Sequence, residues 1–265
     1  MDPNYIKQLF MEIKSKFILP NSPFKDPQTI WKKNEYNKHI ILQEPYSVPN
    51  VMVWNLTPTE IIAKLFWDET TKTLSNPTKL NPSLVITVDN DYDAIDKEKI
   101  LSIHDQHLYV RSNIFRILEN SSLFPLKPDG TIWIKNIFII GLPNENHFRR
   151  NPLQTNVIVA PVNRSPQKVK NCLKLNDFKK LNMTIETIFQ TAILGNCDTL
   201  ILPDFMPDGD DSYVKNVANI INYQITKYGY YFKYIFISVV TNNQKKLNVF
   251  NGLNKYVIQP QNYIQ

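Results

Sequence analysis

Apolar residues along this chain gather in short runs, separated by stretches with helical spacing. Tyr5, Ile6, Leu9, Phe10, Ile13 and Phe17 mark an amphipathic helix that stops at Pro20. Pro23, Pro27, Pro45 and Pro49 follow in polar surroundings, which favours extended chain running over a surface. Val51-Met52-Val53-Trp54 reads as a strand. Thr57-Pro58-Thr59-Glu60 then carries the signature of a capping box, with Thr57 as N-cap, Pro58 at the first helical position and Glu60 reaching back. The helix continues through Ile61-Ile62 and Leu65-Phe66, and a polar, Pro-broken loop covers 68–82. Leu84-Val85-Ile86-Thr87-Val88 predicts a buried strand, and residues 100–118 place Leu101, Leu108, Ile114, Phe115 and Leu118 at helical spacing. Further strands are expected at Ile132–Ile134, at Ile137–Ile140, and at Val157–Ala160, the last ended by Pro161. Helices are expected over about 183–196 and near 212–228, with strands at Thr199–Leu202 and Tyr234–Val240.

Strands apolar on both faces, alternating with helices, predict a three-layer α/β/α domain with a largely parallel mixed sheet. The expected division is an N-terminal helix and Pro-rich arm over 1–50 and the α/β domain over 51–265. In such sheets ligands bind beyond the carboxyl ends of the strands. That draws attention to the loops after Val88, after Ala160 and after Leu202.

Composition changes this picture little. The 265 residues are 43% hydrophobic and 20% charged, enough to bury a full core, and 6 Gly against 18 Pro exclude glycine-rich and collagen-like chains. The 30 Asn, with abundant Ile and Lys, fit an AT-rich genome of the kind found in some protists and large DNA viruses. No run of 18 apolar residues exists and MDPNYIKQLF lacks a signal-peptide layout, so an intracellular, cytoplasmic globule without a membrane partner is expected. A net charge of +6 is a mild bias towards polyanions. Cys172 and Cys197 show no metal or disulfide spacing and read as small buried apolar residues; no cofactor and no stable metal are expected.

The order of elements resembles the macrodomain fold, and within it the microbial-type poly(ADP-ribose) glycohydrolases. His104-Asp105-Gln106-His107-Leu108, followed by Arg111-Ser112 and Ile114-Phe115, falls where that family has Gln-Glu-Glu-Ser-Leu and a similar continuation. Val157–Asn163 is similar to the family's strand ending in Ala-Pro, and Thr199–Phe205 to the strand that opens its second phosphate loop. The resemblance covers about residues 50–240. It implies a nucleotide ligand in those loops, with Asp89, Asp91, Asp93, Asn163, Asp204, Phe205, Asp208, Gly209 and Asp210 as the candidate binding residues.

The departures carry as much information. The family's first loop is Gly-rich so that backbone N–H groups can approach a diphosphate. Here the matching stretch is Asp93-Ala94-Ile95-Asp96, and the second loop keeps only Gly209 among Asp204, Asp208, Asp210 and Asp211. Close like charges would then oppose a phosphate. The tandem Glu pair becomes Asp105 and Gln106, or Gln106 and His107 with a one-residue shift, and Gln has no proton to give. No catalytic residue is therefore expected. The position of the family's adenine-contacting acid falls near Leu56-Thr57, neither of them acidic. These changes predict an inactive, macrodomain-like binding module for a nucleotide, single-stranded RNA, an mRNA cap or a protein partner. A hydrolase with a displaced acid (Asp105 or His107) and a structural subunit docking through its arm are the alternatives.

Three further patterns stand beside their plainer readings. Asp89-Asn90-Asp91-Tyr92-Asp93 has the alternation of a calcium loop but lacks its Gly and its last Glu, so a solvated acidic turn is expected. The second acidic loop, with Trp31, Trp54, Trp67, Tyr92 and Phe205, could cradle a cationic base or basic peptide. Arg149, Arg150, Arg164 and Lys168, interleaved with Phe148 and supplemented by Lys170, Lys179-Lys180 and Lys245-Lys246, are candidates for single-strand binding. The plain alternative is a set of solvated basic loops.

Overall fold

The computed structural model describes residues 11, 28–32, 48–68, 73–74, 80–90, 103–119, 121–141, 152–206 and 210–255. In chain order the elements are β1 (Gln28–Lys32), β2 (Asn50–Trp54), α1 (Pro58–Leu65), the two-residue strands β3 (Trp67–Asp68) and β4 (Thr73–Leu74), and β5 (Pro82–Asp89). Then come α2 (Ile103–Val110), α3 (Phe115–Leu118), β6 (Ile132–Ile139), β7 (Leu153–Val162), and a ribbon of β8 (Lys168–Val169) with β9 (Cys172–Leu173). The remainder is α4 (Leu175–Leu194), β10 (Thr199–Pro203), α5 (Val214–Tyr228), β11 (Tyr234–Ser238) and α6 (Gln244–Asn251).

One seven-stranded sheet runs in the order β1-β6-β7-β5-β10-β11-β2. The pairs from β7 to β2 are parallel, and β6 and β1 add an antiparallel margin. The sheet is thus mixed and largely parallel, with helices on both faces. Residues 28–32, within the Pro-rich segment, supply the edge strand against β6. The amphipathic stretch before Pro20 lies outside the described residues apart from Met11, which is helical and exposed.

The period-two alternation of the strands builds both core layers. Leu84, Ile86 and Val88 of β5 pack with Val157 and Val159 of β7, Ile201 and Phe236 on the face covered by α1, α2 and α3. Val85, Ile158, Ala160, Leu200, Leu202, Ile235 and Ile237 point the other way, against Ile185, Ile188, Phe189, Val217 and Ile221 of α4 and α5. The anticipated capping box is present: Glu60 N donates to Thr57 Oγ1 at 3.2 Å, and Thr57 N donates to Glu60 Oε2 at 2.8 Å.

Several boundaries differ from the sequence reading, each for a local reason. The runs expected at Ile132–Ile134 and Ile137–Ile140 form one strand that ends at Ile139, and a bulge inserts an extra residue where Asn136 adopts φ 62°. That insertion lets Ile132, Ile134, Ile137 and Ile139 all face the same core layer. Pro161 does not end β7; the strand runs on to Val162, and Pro161 pairs in register with Val88. The helix expected from 183 begins eight residues earlier at Leu175, since its first turns are largely exposed and carry no continuous apolar stripe. The 100–118 segment divides into α2 and α3. Helix α6 was not anticipated; Asn243 caps it, accepting from Lys245 N at 3.0 Å. Cys172 is exposed rather than buried, whereas burial pushes the Cys197 thiol up to about 12.

Candidate functional site

Beyond the carboxyl ends of β5, β7 and β10 lies a small, open cleft. Asn90 follows β5, Pro161, Val162 and Asn163 end β7, and Phe205 follows β10. Tyr213 closes it from the start of α5, while Asp177 and Lys180 enter from the first turns of α4. The loops after β5 and β10 therefore meet at one cleft, through Asn90 and Phe205.

The second acidic loop is organised from within. After β10, Asp204 Oδ1 accepts from Met206 N at 3.2 Å, and Phe205 between them sits at φ 57°. A left-handed backbone at an aromatic residue is strained and holds only where neighbours fix it. Phe205 is 2% exposed, locked into the layer under α4 and α5, so it reaches the cleft as a wall and not as an exposed stacking ring. Lys246 of α6, itself 6% exposed, ties the loop down with Nζ at 2.8 Å from Asp204 Oδ2 and 3.0 Å from Asp211 Oδ1. Burial opposes the charge on Lys246, but the two carboxylates outweigh it and move the ammonium pKa upward. Asn243 Nδ2 also donates to Asp211 Oδ2 at 2.7 Å.

Lys168 adds a second internal cation, with Nζ 2.6 Å from Asp210 Oδ2. That contact, with the Ser212 hydroxyl donating to Asp210 Oδ1 at 2.6 Å, depresses the Asp210 carboxyl to about 2. Asp204, Asp210 and Asp211 thus meet lysines of their own chain, which removes most of the like-charge repulsion expected from their sequence. Asp208 and Gly209 lie outside the described residues, as do Asp91 and Asp93 of the first loop. Asp89 closes β5 and accepts from Asn90 N at 2.7 Å.

The loop after β7 is cross-braced. Arg164 Nη2 donates to Thr87 O at 3.1 Å and to Thr87 Oγ1 at 2.8 Å, lashing it to β5. Asn163 Oδ1 accepts from Ser165 N at 2.9 Å, and Asn163 Nδ2 donates to Asp177 Oδ1 at 3.2 Å. Asp177 Oδ2 accepts from Gln167 N at 3.0 Å. Burial, then Asp210 and Asp204, push the Tyr213 hydroxyl pKa up, with Arg164 opposing, so Tyr213 meets the cleft as a neutral phenol.

Of the nucleic-acid candidates, Arg164 and Lys168 are thus engaged in internal contacts, Lys246 is buried, and Arg149 and Arg150 lie outside the described residues. Gln106 and His107 sit half-buried on α2, and neither lines the cleft; of Asp105 only its backbone position on α2 is described. Trp54 is half-buried against Phe236, with ring centroids 4.8 Å apart, and Lys64 lies over it. Among the described residues, no three His, Cys, Asp or Glu side chains are grouped to hold a metal ion. Sequence reasoning missed Asp177 and Tyr213, whose places depend on where α4 and α5 begin, and took Lys180 only for part of a basic surface.

No family model matches the sequence, and no curated protein does. Solved structures do match. The chain is similar to the poly(ADP-ribose) glycohydrolase of Thermomonospora curvata, with TM-score 0.65 and 8% identity over 94% of this chain and 99% of that one. It is similar to the enzyme of Deinococcus radiodurans in complex with ADP-ribose, with TM-score 0.58 and 11% identity over 97% and 94%. The Thermomonospora curvata enzyme bound to the inhibitor ADP-HPD matches with TM-score 0.57 and 10% identity over 77% and 78%. At such identities it is the fold that is shared, and this chain has the macrodomain-like fold of the bacterial poly(ADP-ribose) glycohydrolases.

Proposed function

We propose that this chain is a macrodomain-like binding module that takes a nucleotide diphosphate of the ADP-ribose class in the cleft beyond β5, β7 and β10, and does not hydrolyse it. The observation that carries the reading is the placement of the cleft. It sits where parallel sheets bind ligands, in a fold shared with proteins solved in complex with ADP-ribose. Its wall chemistry suits such a ligand, with amides at Asn90 and Asn163, a neutral phenol at Tyr213, and an ammonium at Lys180.

Two observations support binding without turnover. The carboxylate in the cleft wall, Asp177, already accepts hydrogen bonds from Asn163 and Gln167 N. Both of its oxygens are thereby committed within the loop after β7 rather than turned to a leaving group. On the sequence resemblance, the family's acid position carries Asp105-Gln106, or Gln106-His107 with a one-residue shift, in place of two glutamates. Hydrolysis with Asp105 as a displaced acid is the second reading. RNA and protein partners draw little support here, because Arg164, Lys168 and Lys246 around the cleft are engaged in internal contacts and Lys180 is the one cation in its described wall.

Calorimetric titration of the full chain with ADP-ribose, paired with incubation on poly(ADP-ribosyl)ated protein, tests the reading. Saturable one-site binding without release of ADP-ribose is expected. Release that disappears in the Asp105→Asn variant would establish the hydrolase instead. Absence of binding at millimolar ADP-ribose would remove the nucleotide reading altogether.

A further inference from the structure

We propose that Lys180 is the phosphate-recognising residue of the cleft, so that a side-chain ammonium does here what Gly-rich backbone does elsewhere. The inference rests on the nucleotide reading above and names the part of the ligand that Lys180 meets.

The lysines that organise this end of the molecule are committed to carboxylates: Lys168 to Asp210, and Lys246 to Asp204 and Asp211. Lys180 differs. It lines the cleft, is exposed, and among the described residues has no carboxylate within ion-pair distance. An ammonium on a flexible stem, without an internal partner and at the mouth of a concave site, is suited to an incoming anion.

Four backbone amides of the described loop residues are already engaged. After β10, the N–H of Met206 is turned into Asp204, and the N–H of Ser212 into Asp210. After β7, the N–H of Ser165 is held by Asn163 and that of Gln167 by Asp177. Among the described residues, these four loop donors are taken by side chains of the loops themselves. Asp177, three residues before Lys180, shares its helix face. It is the other charged group in the described wall, and a carboxylate there accepts hydroxyl donors and not phosphate. The pair asks for a ligand with hydroxyls beside phosphate, with Phe205 and Tyr213 supplying the apolar and aromatic wall.

The test compares the full chain with Lys180→Gln and with the control Lys179→Gln, which changes an exposed neighbour outside the cleft wall. Each protein is titrated with ADP-ribose, with adenosine and with inorganic pyrophosphate, at low and at moderate salt. The expected result is a loss of about tenfold or more in affinity for both phosphorylated probes in Lys180→Gln, with a shallower salt dependence. Adenosine binding and the control should be unchanged. Pyrophosphate binding that depends on Lys180, without any ADP-ribose binding, would uphold Lys180 and overturn the nucleotide reading. ADP-ribose binding that is unaffected in Lys180→Gln overturns the inference and leaves that reading standing. If neither phosphorylated probe binds the unaltered chain, both fall.

Discussion

The two ends of the central sheet are held together by different chemistry. At the amino end, Asn81 N and the Thr199 hydroxyl both donate to Asp198 Oδ1 at 2.9 Å. Asn81 Nδ2 donates to Asn196 O at 2.8 Å, and Asn156 Nδ2 donates to Asn81 Oδ1 at 2.8 Å. This net of short hydrogen bonds joins the Asp198 carboxylate to the amides of Asn81 and Asn156, with Lys233 3.4 Å from Asp198 at its margin. At the carboxyl end the loops are pinned by Lys246, Lys168 and Arg164, and they surround a cleft. At the amino end one carboxylate is shared among amide and hydroxyl donors away from the cleft. At the carboxyl end three carboxylates are paired with two lysines beside the cleft, where they also set the potential that a ligand meets. Stability and recognition should therefore separate along the strand axis, and substitutions at the two ends can show whether they do.

The largest effect is expected from Asp198→Ala. Asp198 is 5% exposed, and its loss leaves the Asn81 N–H and the Thr199 hydroxyl without their acceptor. The cost should be about 2–4 kcal/mol in urea unfolding, with the ADP-ribose affinity of the folded protein unchanged. A variant as stable as the parent would break the contrast. Lys246→Met comes next, at about 2–3 kcal/mol, below a fully buried pair because Asp211 remains 30% exposed. Here anion binding should weaken as well, since Asp204 and Asp211 lose their cation; unchanged affinity would show that the loop charges do not reach the ligand.

Gly195→Ala is expected to cost about 1–3 kcal/mol through overpacking. A Cβ there would lie 2.7 Å from Trp133 Cε2, and the buried indole has little room to move. A melting point equal to the parent's would show that Trp133 repacks freely. The smallest effect concerns Asp210. Its carboxyl is lowered from 3.8 to about 2, so its contribution is present above about pH 4 and is lost as the pH falls towards 2. The pair with Lys168 is partly exposed to solvent, which limits the gain to under about 1 kcal/mol. Melting curves of the parent and Asp210→Asn should differ slightly at pH 6 and converge near pH 2; a constant difference would place the contribution elsewhere.

Much of the layered core can be read from sequence because it depends on local periodicity. Leu84–Val88, Val157–Ala160 and Tyr234–Ser238 alternate as strands of a two-faced sheet, and Thr57, Pro58 and Glu60 announce their helix within four residues. The bulge at Asn136 is less legible, since it is fixed by the need to keep four isoleucines on one face. The continuation of β7 through Pro161 is set by its pairing with β5. The site is the least legible part. Its three candidate loops follow from strand order, but the character of the second loop does not. Read alone, Asp204, Asp210 and Asp211 form a run of negative charge. Only the fold brings Lys246 from α6 and Lys168 from the ribbon against them. Lys179 and Lys180 look alike in sequence, and the phase of α4 decides which of them enters the cleft.

Amide NMR of the labelled full chain during titration with ADP-ribose tests the central claim most directly. The account predicts saturable shifts centred on Asn90, Asn163, Lys180 and Tyr213, with the amino-end net around Asn81, Asn156 and Asp198 silent. Shifts centred on the amino end, or none at saturating ADP-ribose, would contradict it.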